Sequence, residues 1–414
     1  MRVRRCDGLK GEVRVSGAKN AALPLLAASL LVERFELENF PVLLDTLYAL
    51  RILELLGREV ELLPGRVSVK GGISSVRIPY EISSLFRGSL LFLGGLLGAV
   101  GRAEVAHPGG CAIGSRPIDQ HLKFLSHIGA EVELEGGFVK VKLPPEPKAR
   151  AFTFDLITVT GTENALLTLA GLRGEFELHN AALEPEVLDL VEFLKKLGLE
   201  VEVKGRSFLV RSPGRENLKR EVSHRTIPDR IEAGTFLVAG ALLGEPLTVK
   251  GLEVSHLGAV LEKLREAGAE PEVLSPSEVR IRRVERPRAL EVQTAPYPGF
   301  PTDMQAQFMA MLTLADGVSL IVENIFENRF QHALELARLG ASVEVRGKTA
   351  IVRGVERLKG APVNATDLRA SAALVLAGLV AEGETVVGKI GHLLRGYEDL
   401  DGKLRRLGCD AELF

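Results

Sequence analysis

The stretch Ile52–Val69, ILELLGREVELLPGRVSV, decides the fold. Its first half is a helix-like run that ends in Leu56-Gly57, and glycine suits the left-handed position that closes a helix. Its second half alternates apolar and polar residues around Pro64-Gly65, which reads as strand, turn and returning strand. The same order recurs around Gly129 (FLSHIGAEVELEGGFVKV), Gly198 (FLKKLGLEVEVKGRSFLV), Gly268 (KLREAGAEPEVLSPSEVRI), Gly340 (ELARLGASVEVRGKTAIV) and Gly408 (KLRRLGCDAELF). These glycines stand 72, 69, 70, 72 and 68 residues apart. A fixed period marks an internal repeat, and this one is too long for a typical short-repeat solenoid.

A second helix precedes the first in every copy. The copies begin near Ala18, Phe86, Gly161, Arg230, Asp303 and Asp367, and are apolar on nearly all sides and rich in Ala and Gly. Such helices belong in the interior, packed closely together. The expected fold class is α/β, with two similar domains of three βαβαββ-like repeats each. The seam falls in the polar stretch Arg211–Arg230, which holds Pro213, Gly214 and Pro228. The strand GEVRVSG precedes the first repeat and is expected to complete a sheet of the C-terminal domain. The division is therefore 20–227, carrying the loop around Cys111, and 1–19 with 228–414. Two such domains linked twice imply a cleft, a common place for ligands.

Composition narrows the function. The 414 residues are 46% apolar and 26% charged, which excludes a disordered chain. A net charge of −2 argues against a general nucleic-acid or membrane binder. The first residues, MRVRRCDGLKGEV, lack the apolar core of a signal peptide, and no run is long enough to read as a membrane span. Three cysteines do not look like a disulfide framework, so a reducing cytoplasm is the expected compartment. No metal-ligand spacing, P-loop, GxGxxG after a clear strand, or Gly-x-Ser-x-Gly elbow occurs. Neither metal nor cofactor is expected.

The residues that depart from bland patterning cluster in loops and at helix starts. His107–Pro117, HPGGCAIGSRP, sets Cys111 among Pro108, Gly109, Gly110 and Gly114, with Arg116 following. Nearby cations lower a cysteine pKa, and the thiolate is the reactive form. Lys19, Asn20, Arg87, Asp229, Arg230, Asp303, Asp367 and Arg369 open buried helices. Those helix ends suit a phosphate or carboxylate, and Lys or Arg beside them adds charge-assisted bonds. Asp229 and Asp303 also fit an ordinary N-cap. Arg329 and Arg395 precede amphipathic helices, where a surface charge is equally at home. His121 reads as a capped or solvated side chain, and Cys6 and Cys409 as structural.

Taken together, SGAKNAALPLLAASLL, HPGGCAIGSRPIDQH, TVTGTENALL, PDRIEAGTFLVA, APYPGFPTDMQAQF, FENRFQHALELARLGA, ATDLRASAALVLAG and RGYEDLDGKLRRLG resemble the enolpyruvyl transferase family. The likeness runs over essentially the whole chain and is to the branch that opens bacterial peptidoglycan synthesis. It implies an inside-out α/β barrel in each of two domains, around a cleft that closes on substrate. It implies transfer of the enolpyruvyl group of phosphoenolpyruvate to the 3′-hydroxyl of UDP-N-acetylglucosamine, with release of phosphate. By the same resemblance Lys19, Arg116 and Arg395 hold phosphoenolpyruvate, and Cys111 acts as acid or nucleophile and governs product release. Asp303 is the implied base, with Asp367 and Arg369 flanking the reacting carbon and phosphate. Asn20, Arg87, Thr158, Val159, Asp303 and Ile325 line the nucleotide-sugar site, with Arg329 beside them. Cys111 further implies sensitivity to the epoxide antibiotic fosfomycin. The rival branch, acting on shikimate 3-phosphate, shares fold and donor but lacks this cysteine. A silent paralogue that binds nucleotide sugar without turnover is the alternative outside catalysis.

Overall fold

The computed structural model describes residues 1–115 and 117–414. The chain divides into two compact units. The N-terminal unit is Gly17–Gly110 with Pro117–Ile227, and the C-terminal unit is Met1–Ser16, Cys111–Arg116 and Pro228–Phe414. This differs from the expected division in two places. The boundary falls after Ser16 because the Asp229 amide donates to the Ser16 carbonyl at 2.9 Å, whereas the Ala18 amide donates to Ile227 at 2.8 Å. The segment starting at Cys111 groups with the C-terminal unit, since Asn328 and Gln331 both donate to the Ala112 carbonyl, each at 3.1 Å.

Among the described residues the strands form six four-stranded sheets, three per unit. Each repeat uses its glycine as the sequence requires. Gly57, Gly129, Gly198, Gly268, Gly340 and Gly408 all have φ between 92° and 112°, which is costly for any side chain. The hairpins follow in antiparallel register, as in Glu59–Leu63 against Arg66–Lys70 and Ser342–Arg346 against Thr349–Arg353.

In the N-terminal unit the sheets surround three buried helices, Lys19–Ala28, Leu91–Val100 and Val159–Ala170. The last strand, Glu221–Arg225, runs parallel to the first, Arg34–Glu38, and closes the ring of repeats. In the C-terminal unit the buried helices are Arg230–Leu243, Gln305–Leu312 and Leu368–Val380. Here the two ends of the chain close the ring. Leu9–Arg14 pairs in parallel with Gly244–Lys250. Arg2–Arg4 lies between Glu384–Gly388 and Ala411–Glu412, and so replaces the hairpin partner that the sixth repeat lacks.

That pairing brings Cys6 and Cys409 together in a disulfide across 403 positions of sequence, with Cα atoms 5.2 Å apart. The three cysteines, read as no disulfide framework, thus hold one disulfide between the two read as structural, and the cysteine count no longer argues for a reducing compartment. Cys111 is the free thiol. Among the described residues no helix is long and apolar enough to cross a membrane.

Candidate active site

Candidate residues fall into two groups, one on each unit. On the C-terminal unit the loop bearing Cys111 is held by Asn328, whose amide donates to Ile113 at 3.0 Å. A Cβ at Gly114 would fall 2.0 Å from Glu327 Oε2, so the Glu327 carboxylate packs directly over the loop backbone there. The half-buried Cys111 Sγ accepts a hydrogen bond from Arg395 Nη1 at 3.2 Å. Burial pushes the thiol pKa up. A hydrogen bond with the His392 side chain, the Arg395 charge and a bond with the Leu368 backbone outweigh that, and the pKa is lowered to about 7. Asp367 opposes the shift weakly, which places its carboxylate in the same neighbourhood. Asp367 also caps its helix, accepting from the amides of Arg369 at 2.8 Å and Ala370 at 3.0 Å.

Asp303 behaves differently. The turn Thr302–Met304 has no side-chain cap, and the Asp303 carboxylate is clamped between two guanidiniums. Arg329 Nη1 lies 2.9 Å from Oδ1, and Arg369 Nε lies 3.2 Å from Oδ2. The ordinary N-cap expected of both holds for Asp229, which accepts from the amides of Ile231 and Glu232, but not for Asp303. Arg369 is only 2% exposed. Burial alone would lower its pKa, but Asp303 and Tyr397 outweigh burial and raise it. Its guanidinium sits over the Tyr397 ring at 5.4 Å. The Tyr397 hydroxyl meets Thr235 Oγ1 at 3.0 Å and receives Gln307 Nε2 at 3.2 Å, and burial raises its own pKa. Beside them His332 is fully buried, its pKa lowered to about 4 by burial, and among the described residues neither ring nitrogen has a hydrogen-bond partner.

Glu323 organises the segment around Ile325. It accepts from the amides of Ile325 at 2.8 Å and Phe326 at 3.2 Å, and from Thr294 Oγ1 at 2.9 Å. Thr302 bridges it to Arg329, donating to Glu323 at 3.0 Å while accepting from Arg329 at 2.9 Å.

On the N-terminal unit, Lys19 opens its helix and pairs with Asp45 at 3.2 Å, and Asn20 follows it. Arg87 opens a short turn and donates to the Pro117 carbonyl at 3.2 Å. Thr158 caps the helix that begins at Val159, accepting from the Gly161 amide at 3.1 Å. The loop before it is anchored by Gln120, which accepts from the Asp155 amide at 2.8 Å. His121 is not solvated. It is buried with Nε2 3.1 Å from Thr160 Oγ1, and burial plus the Arg87 charge lower its pKa to about 3. It is therefore a neutral imidazole at physiological pH. Arg116 lies outside the described residues.

His392, Tyr397, Gln307, Glu323 and Asp45 were not singled out by sequence. For the first four an indirect signal existed, since each stands within a few positions of a residue that was or in a motif already noted; Asp45 had none. Among the described residues no three His, Cys, Asp or Glu side chains gather as a metal site requires.

The family profile of EPSP synthase (3-phosphoshikimate 1-carboxyvinyltransferase) matches residues 3–404. The chain is 50% identical over 411 residues to a UDP-N-acetylglucosamine 1-carboxyvinyltransferase from Xylella fastidiosa (strain 9a5c), covering 97% of this chain and 96% of the relative. Among solved structures, the enolpyruvyl transferase NikO from Streptomyces tendae superposes with a TM-score of 0.89 at 27% identity, covering 99% of this chain and 98% of that one. EPSP synthase from Acinetobacter baumannii gives 0.74 at 16% identity, with 99% and 98% covered, and shows the shared fold alone. The chain belongs to the enolpyruvyl transferase family, among the UDP-N-acetylglucosamine 1-carboxyvinyltransferases.

Proposed function

We propose that the protein transfers the enolpyruvyl group of phosphoenolpyruvate to the 3′-hydroxyl of UDP-N-acetylglucosamine, in the cytoplasm, as the first step of peptidoglycan synthesis. The observation that carries this reading is the pairing of a free Cys111 thiol with Arg395, in a chain half identical to that transferase over nearly its whole length.

The chemistry is addition then elimination. The sugar oxygen forms a bond to C2 of phosphoenolpyruvate, its proton goes to a base, and an acid protonates C3. The C2–O bond to phosphate then breaks and C3 gives up a proton, which restores the double bond and releases inorganic phosphate. The reaction needs cations around the carboxylate and phosphate, a base at the hydroxyl and an acid near C3. In our reading Lys19, Arg116 and Arg395 supply the cations. Cys111, with a pKa near neutrality, serves as the acid. Asp303 serves as the base once the sugar hydroxyl takes the place of one guanidinium at its carboxylate. Asp367 and Arg369 flank the reacting carbon and the phosphate. Asn20, Arg87, Thr158, Val159 and Ile325 receive the nucleotide sugar, with Arg329 beside them.

The test is phosphate release from phosphoenolpyruvate with each acceptor separately. Release with UDP-N-acetylglucosamine and none with shikimate 3-phosphate is the expected result. Release only with shikimate 3-phosphate moves the protein to the sister branch. Nucleotide-sugar binding without any release makes it a binder.

A further inference from the structure

Lys19 stands where a lysine does a helix no good. It is the first residue of Lys19–Ala28, a buried helix with no acid in its first turn and no side-chain cap. The N-terminus of a helix carries partial positive charge, so a cation there is repelled. Its side chain is only 12% exposed, which removes most of the water that would otherwise compensate. The Asp45 carboxylate, 3% exposed, lies 3.2 Å from Nζ.

Asp45 is placed by its own scaffold. It sits in the first turn of Leu44–Leu55, where the helix end favours an anion. Thr46 locks that turn, accepting from the Leu43 amide at 3.0 Å and donating to the Pro41 carbonyl at 2.8 Å. The carboxylate is thus a fixed point rather than a mobile counter-ion. Lys19 and the two helix starts bring positive character to this place, which suits an arriving anion.

We propose that Asp45 is a positioning residue for the transfer reaction: its buried carboxylate keeps Lys19 charged and in one rotamer, ready for the phosphoenolpyruvate anion. The proposal rests on the functional reading above, since Lys19 matters to turnover only if it holds phosphoenolpyruvate. In this reading Asp45 acts through Lys19.

The experiment compares wild type with Asp45→Asn, which keeps shape and removes charge, and Asp45→Glu, which keeps charge on a longer arm. Lys19 acylation by acetic anhydride, followed against pH by peptide mass spectrometry, reads its protonation without using the reaction. Loss of an adjacent carboxylate is expected to lower the Lys19 midpoint by about one pH unit or more in the Asn variant, with the Glu variant close to wild type. In turnover, Asp45→Asn is expected to lose about tenfold or more in kcat/KM for phosphoenolpyruvate, with KM for UDP-N-acetylglucosamine within about twofold. Its alkaline limb should move to lower pH. An unchanged Lys19 midpoint in Asp45→Asn, or a Glu variant shifted as far as Asn, overturns the proposal. So does a parallel loss for both substrates that follows a fall in Tm. If wild type turns over no phosphoenolpyruvate, the functional reading fails, and the acylation midpoint alone still decides whether Asp45 holds Lys19 charged.

Discussion

Arg395 Nη1 lies 3.2 Å from Cys111 Sγ, although 284 positions of sequence separate them. The contact joins a loop thiol to a cation that opens the last amphipathic segment of the chain. It gives the thiol a reason to ionise near neutrality despite being half-buried.

The first prediction is the pH dependence of that thiol. Its pKa is lowered to about 7, so the reactive thiolate should appear as pH rises through that value. The rate of iodoacetamide alkylation at Cys111 should therefore have its midpoint near 7. In His392→Ala a hydrogen bond that favours the thiolate is gone, and the midpoint should rise by about half a unit or more. A midpoint that stays in place would remove His392 from the account.

Asp303 should be costly to remove in two ways. Asp303→Ala is expected to abolish turnover. It also leaves the buried Arg369 and Arg329 without the carboxylate they share, and breaking a buried pair costs about 3–5 kcal/mol. Chemical denaturation checks the second effect. Wild-type stability in the alanine variant would mean that the clamp is only a surface arrangement.

Glu163 offers a stability switch unrelated to catalysis. It is 2% exposed, and among the described residues its Oε1 has no hydrogen-bond partner. Burial first, then Glu186 and Glu184, raise its pKa well above the ordinary 4.5. A raised carboxyl pKa contributes stability that is full below the unfolded value and lost as pH rises through the folded one. Glu163→Gln should thus match wild type near pH 4 and exceed it at pH 8, by about 1.4 kcal/mol for each unit of the shift. Urea denaturation at the two pH values measures this, and an equal gain at both would contradict it.

Lys403 donates to Glu232, both buried, and also to Ser16 Oγ at 2.9 Å; Glu232 in turn accepts from the Ser16 amide at 2.8 Å. This triangle fastens the first segment to leave the C-terminal unit. Lys403→Met leaves an uncompensated carboxylate and should cost about 3–5 kcal/mol, much of it recovered in the Lys403→Met, Glu232→Gln double variant. A double-mutant cycle by urea denaturation gives the coupling; additive losses would mean that the two do not act as a pair.

The sixfold repeat was legible because one stereochemical requirement marks every copy. A helix must stop at a left-handed residue before each hairpin, and six glycines meet it. The strand Arg2–Arg4 was not legible: three residues, two of them charged, carry no alternation, and its partners lie at the far end of the chain. The Cys6–Cys409 pair was hidden for the same reason, since nothing local announces a partner 403 positions away. At the site, residue types at buried helix starts were readable, but not which of them meet. Asp303 and Arg329 come from the fifth repeat and Arg369 from the sixth, and only packing tells a cap such as Asp229 from a carboxylate clamped by arginines. His121 reads as a polar position of an amphipathic helix, and burial against Thr160 is a tertiary fact.

The most direct test of the whole account is to treat the enzyme with fosfomycin, measure the fraction of Cys111 alkylated by mass spectrometry, and assay phosphate release from phosphoenolpyruvate with UDP-N-acetylglucosamine on the same sample. The account predicts release before treatment and a loss that follows the modified fraction of Cys111. Full release from protein modified at Cys111, or no release before treatment, would contradict it.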